Sequence, residues 1–145
     1  MLAAAQRLEE ILNTAPAKLL AFTEAQASVR PAPGKWSKKE IIGHLIDSAS
    51  NNHQRFVRLQ LENNIALPNY EQDNWVSLQR YQEQNWIGLV KFWMIYNKHL
   101  LHVLKHADES KLSNTATMDG KPISLQFFID DYVRHMDHHL KAVFI

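Results

Sequence analysis

Between Asp131 and Leu140 three histidines fall within five residues, and two of them, His135 and His139, stand four apart. On an α-helix that spacing puts both imidazoles on one face, with Cβ atoms about 6 Å apart, close enough to share one metal ion. The pair has an ordinary alternative, two buried histidines satisfied by hydrogen bonds. A third ligand would come from a helix packed alongside, and the best upstream candidate is His44. Because the chain contains no cysteine, a transition-metal site would use imidazole and carboxylate ligands. Any nucleophile would then be water, a hydroxyl or an external thiol.

The residues around the histidines sort by helical position. Phe128, Tyr132, His135, His139 and Ala142 form one stripe, expected to face inward. His138 points toward the polar side with Arg134 and Lys141 and reads as a rim residue. Asp131, one turn before His135, is placed either to orient that ring or to pair with Arg134. After His44 come Ser48, Asn51, Asn52 and Arg55, a polar stripe that would line a cavity or form the solvated edge of an amphipathic helix. Asp47, three residues from His44, would hold it or face a pocket. A rival cluster, His99, His102 and His106, sits among Lys98, Lys105 and Asp108 and looks like a flank near a helix C-terminus, where His and Lys favour the helix dipole. His53 is expected to be exposed.

Positioning these groups requires long helices. Apolar residues recur at helical spacing between clusters of Gly and Pro, which reads as an all-α four-helix bundle filling residues 1–145 as a single domain. The first helix is expected over Leu2 to Ala27, with Leu8, Ile11, Leu12, Leu19 and Phe22 inside and Pro16 bending or splitting it. Ser37 and Glu40 form a capping-box signature for the second, which should run to about Asn63 with Trp36 stapled over Ile41. From Ile65 to about Arg80 the pattern breaks, leaving a connection long enough to be a crossover between helices two and three. The third helix, about Gln82 to Ala107, is expected to be the most buried. Asp119-Gly120 suggests a small hairpin, and Ser124 a cap for the fourth helix.

Composition limits the partners. Sixteen Lys and Arg against fifteen Asp and Glu give a net charge of +1, without a basic cluster, so a nucleic-acid footprint has little support. The most apolar run, Ile87 to Met94, is too short to span a membrane. The first thirty residues lack the plan of a signal peptide, which makes a cytoplasmic protein the expectation.

Gly34-Lys35-Trp36-Ser37 with Glu40, His44-Leu45-Ile46-Asp47, Asn52-His53-Gln54-Arg55-Phe56, and Asp131-Tyr132 leading to His135, His138 and His139 together resemble the DinB-like metalloenzymes. That family consists of four-helix bundles and includes bacillithiol-dependent transferases and mycothiol-dependent isomerases. The resemblance spans about Gly34 to the C-terminus. It implies that His44, His135 and His139 hold a divalent ion, leaving positions open to water or substrate, as in catalytic rather than structural sites. Such an ion could lower the pKa of water or activate an external thiol. Zinc, nickel and iron(II) all suit imidazole, so the metal is not distinguished. Tyr70, Asp73, Trp75, Tyr96 and Asn97 are pocket candidates by position. Two functions follow: a small metalloenzyme, transferring a low-molecular-weight thiol or hydrolysing a small substrate, and a noncatalytic metal- or ligand-binding module. The resemblance also implies a homodimer, for which Trp75, Trp86 and Trp93 are spare aromatics.

Overall fold

A computed structural model describes residues 1–145. The chain forms α1 (Leu2–Leu20), α2 (Glu24–Ser28), α3 (Lys38–Leu61), β1 (Ile65–Ala66), α4 (Gln72–Gln79), α5 (Trp86–Lys105), β2 (Thr115–Met118), β3 (Lys121–Ser124) and α6 (Leu125–Val143). Of these, α1, α3, α5 and α6 are the long helices. Their apolar faces meet in one core that includes Leu8, Leu19, Phe56, Trp93 and Met136.

Pro16 neither splits nor ends the first helix; α1 runs through it. The break comes later, where Thr23 accepts a hydrogen bond from the Gln26 amide and the Gln26 side chain accepts one from the Thr23 amide. This reciprocal cap starts α2 as a separate helix. At the start of α3 only half of the expected box forms. Ser37 Oγ accepts from the Glu40 amide at 3.2 Å, but Arg30 Nε takes the Glu40 carboxylate at 2.7 Å. Lys39, buried, pairs with Glu24, whose carboxylate also accepts from the Trp86 amide at 2.8 Å. These contacts fasten α2 across the starts of α3 and α5.

The most buried helix is α3, with fourteen of its 24 residues buried against seven of 20 in α5. The expectation for the third helix is therefore corrected. Its cause is position: α3 packs between α5 and α6, and α4 and the short helical turn Tyr81–Glu83 cover its remaining side. Phe92 and Ile95 on α5 remain exposed, whereas Trp86 and Trp93 are buried and cannot serve as contact aromatics. On α6 the inward stripe ends before Ala142, which is exposed.

The chain is mostly helical rather than wholly so. β2 pairs antiparallel with β3, with Thr115 opposite Ser124, and parallel with β1, with Ile65 opposite Ala116. Asp119 and Gly120 join β2 to β3 with φ of 51° and 78°, the paired positive values of a tight hairpin turn. Ser124 then caps α6 by accepting from the Phe127 amide. The connection from Ile65 to Arg80, expected to be irregular, carries β1 and α4. No helix is long and apolar enough to cross a membrane.

Candidate metal centre

α3 and α6 lie against each other, and His44 from the first meets His135 and His139 from the second. His44 Nε2 is 3.0 Å from His135 Nε2, and one nitrogen from each of the three rings lies within 4.8 Å of the others. The ring of His139 is 4.4 Å from that of His135 and 4.6 Å from that of His44, centre to centre. Tetrahedral zinc–imidazole bonds of about 2.0–2.1 Å place ligand nitrogens about 3.3 Å apart, so small ring rotations suffice for the three to share an ion. No cysteine or carboxylate joins the group as a fourth ligand.

The electrostatics suit the same role. His44 is 1% exposed, and burial, reinforced by His135 and His139, lowers its pKa to about 3. Burial and then the two neighbouring histidines on α6 lower His139 to about 4. His135 is also lowered, chiefly by burial, with Asp131 opposing. Neutral imidazoles, which metal binding requires, are thus the resting state near neutral pH. His44 Nδ1 is buried without a partner, so no neighbouring acceptor orients that ring. Packing does so instead: the Trp36 ring lies 4.9 Å from His44 and 6.3 Å from His139.

Asp47 does not hold His44. Its Oδ1 accepts from Tyr81 Oη at 2.6 Å and Gln79 Nε2 at 2.7 Å, while Oδ2 is buried and unpaired. Asn51 donates to the Asp47 carbonyl of its own helix at 2.9 Å. Arg55 is buried, stacked over Phe128 and bonded weakly to Asn52 at 3.3 Å. Asp131 pairs with Arg134 rather than orienting His135 by a hydrogen bond. Asn97 lies in the core, where its carbonyl accepts from Tyr132 Oη and its amide donates to the Trp93 carbonyl at 2.9 Å. That pair joins α5 to α6 and does not reach the imidazoles by any hydrogen bond.

Tyr70 is half-buried beside Trp75, 5.3 Å away, and Asp73 lines a cavity of about 1010 Å³ together with Phe22, Trp36, Lys38 and His139. His53 is not exposed as expected, since its Nδ1 meets Tyr96 Oη at 3.0 Å and its ring faces His99. His99, His102 and His106 are all exposed and form no three-ligand group. His138 is exposed as well, beside the site rather than in it.

Sequence reasoning missed Tyr81 and Gly43. A Cβ at Gly43 would stand 2.1 Å from Tyr81 Cδ2, so only glycine admits the tyrosine ring against α3. An isolated glycine inside a helical pattern, directly before His44, was the available signal for such a close approach.

None of the curated protein sequences matches the chain. Among solved structures, YfiT from Bacillus subtilis, described as a probable metal-dependent hydrolase with an unusual four-helix bundle topology, superposes with a TM-score of 0.86 at 20% identity, covering 97% of this chain and 82% of YfiT. A mycothiol-dependent maleylpyruvate isomerase gives a TM-score of 0.78 at 10% identity, covering 97% of this chain but only 59% of that longer protein. At such identities these likenesses speak for the fold. The sequence itself matches the DinB superfamily over residues 3–143, and the protein belongs to that superfamily.

Proposed function

We propose that the protein is a divalent-metal-dependent enzyme acting on a small molecule, with His44, His135 and His139 as the metal ligands. The observation that carries this reading is the convergence of three neutral imidazoles within 4.8 Å, one of which, His139, lines an open cavity. A divalent ion held there would supply Lewis acidity, lowering the pKa of a water or thiol that joins it. The chain's own residues do the rest. Burial keeps the three rings unprotonated, and Trp36 packs against His44 and His139.

Thiol transfer ranks ahead of hydrolysis. The cavity beside His139 is lined by Phe22, Val29, Trp36 and Ile41, suited to an electrophile with a hydrocarbon body. Asp73 is the one acidic side chain on its wall, so a base for activating water is scarce there. The structures described as a probable metal-dependent hydrolase and a mycothiol-dependent maleylpyruvate isomerase support metal and small-thiol chemistry as the two options. Residues 1–145 are read as one domain because all four long helices share one core. A homodimer belongs to the same reading and is tested by light scattering.

The test is a screen of small thiols against electrophiles, using protein reconstituted separately with zinc, nickel and iron(II). Turnover in wild type that is lost in His44→Ala supports the proposal. A noncatalytic brace is the second reading, favoured by the near-complete burial of His44 between α3 and α6. It predicts a large metal-induced rise in thermal stability, no turnover, and no change in the metal's spectrum on adding thiols.

A further inference from the structure

Arg55 is 8% exposed, yet its one protein hydrogen bond is a long contact of 3.3 Å from Nη1 to Asn52 Oδ1. A guanidinium carries five N–H donors in a planar fork, and taking it from water is costly unless an anion or acceptors replace the lost hydration. Here the guanidinium carbon lies over Phe128, 5.0 Å from the ring centre, and Nη1 alone donates within the protein. Asp131 is close enough to act on this charge but is itself held by Arg134. The structure thus holds a nearly buried cation on one long hydrogen bond, and its other nitrogens are not among the side-chain atoms fully buried without a partner, so they remain open to a ligand.

Its place in the fold connects it to the histidines. His44, Ser48, Asn51 and Arg55 are spaced four, three and four apart, so they share one face of α3. That face meets α6 at both ends, through His44 with His135 and through Arg55 with Phe128. Phe128 precedes His135 by seven residues, about 10 Å along α6. Between the two ends lie Asn51 and Tyr70, both half-buried, with Tyr70 in the neighbourhood of Arg55. Ser48 is buried on the same stripe.

We infer that Arg55 receives the carboxylate of a small substrate whose other end reaches the three histidines, about 10 Å away by the rise of α6 and about 16 Å by that of α3. This rests on the metal-dependent reading of the site and specifies one substrate class for it, an elongated monocarboxylate. A single negative charge fits better than a phosphate dianion, because Asp131 already contributes negative potential beside Arg55. Arg55 is a binding residue in this account, remote from the reacting atoms.

Two arms test it. With cobalt(II) at the histidines, 8-mercaptooctanoate and 8-mercaptooctan-1-ol are titrated while following thiolate-to-cobalt absorption. Wild type should bind the acid about tenfold or more tightly than the alcohol, the scale of a charge-assisted bidentate contact. Arg55→Met, which keeps the stack on Phe128, should bind both alike at unchanged cobalt affinity, and Arg55→Lys should fall between. In the second arm, octanoate should raise the melting temperature of metal-free wild type but not of Arg55→Met, with octan-1-ol as control. Equal affinities for acid and alcohol in wild type, or a preference that survives in Arg55→Met, overturns the assignment. Loss of the cobalt band with both probes counts against the metal reading, and the metal-free arm then decides Arg55 by itself.

Discussion

Tyr81 occupies the space that a side chain at Gly43 would fill, and from there its hydroxyl donates to Asp47 at 2.6 Å. The contact fixes the turn before α5 against the turn of α3 that carries His44. Tyr81 reaches it through Arg80, whose left-handed backbone, φ 52°, ends α4 and reverses the chain.

Gly43→Ala should therefore push Tyr81 out and break its bond to Asp47. Overpacking and the lost hydrogen bond together give an expected cost of about 2–4 kcal/mol, read by urea denaturation. Combining Gly43→Ala with Tyr81→Ala should cost much less than the sum of the two, since the second change removes the clash. Additive losses would mean that Tyr81 and Gly43 do not meet.

Metal-free protein should lose stability as pH falls. The folded-state pKa values of His44 and His139, about 3 and about 4, lie below the unfolded value of about 6.5. Below that value the unfolded chain binds protons that the folded chain refuses. The stabilisation is complete above about pH 6.5 and drains away as pH falls toward 4 and then 3. His44→Leu should flatten this slope in urea titrations between pH 7.5 and 4.5; a variant slope equal to that of wild type would contradict it.

Trp36 should report on the centre. Its ring lies 4.9 Å from His44, so cobalt(II) or nickel(II) at the histidines is expected to quench its fluorescence. Trp36→Phe should remove most of the metal-dependent change, although the buried Trp86 and Trp93 still emit. Undiminished quenching in Trp36→Phe would place the ion elsewhere.

The surface histidines provide a control. His102 and His106 lie with ring centres 4.3 Å apart, but both are exposed and His106 Nδ1 is turned to the His102 carbonyl. His102→Ala with His106→Ala is expected to leave the tightly held metal unchanged, by equilibrium dialysis against a chelator. A fall in tight binding would relocate the site to α5.

Much of this was legible in the residues. The four-apart spacing of His135 and His139, the Ser37 cap and the Asp119-Gly120 turn depend on local geometry, which sequence carries directly. The pairing of Asp131 with Arg134 rather than His135 was not legible, because both partners lie within one turn and packing chooses between them. Nor was the role of Tyr81, set by a contact between residues 38 apart whose one local sign is the absence of a side chain at Gly43. α3 outranks α5 in burial for the same kind of reason: composition made α5 the more apolar, but topology put α3 in the middle.

The most direct test of the centre is the metal content of tag-free protein, purified without added metal and then after reconstitution and desalting, for wild type, His44→Ala, His135→Ala and His139→Ala. The account predicts one tightly held divalent ion per wild-type chain and its loss, or a fall in affinity of at least about 100-fold, in each variant. Wild-type protein that retains no ion after reconstitution, or variants that retain it as wild type does, would contradict it.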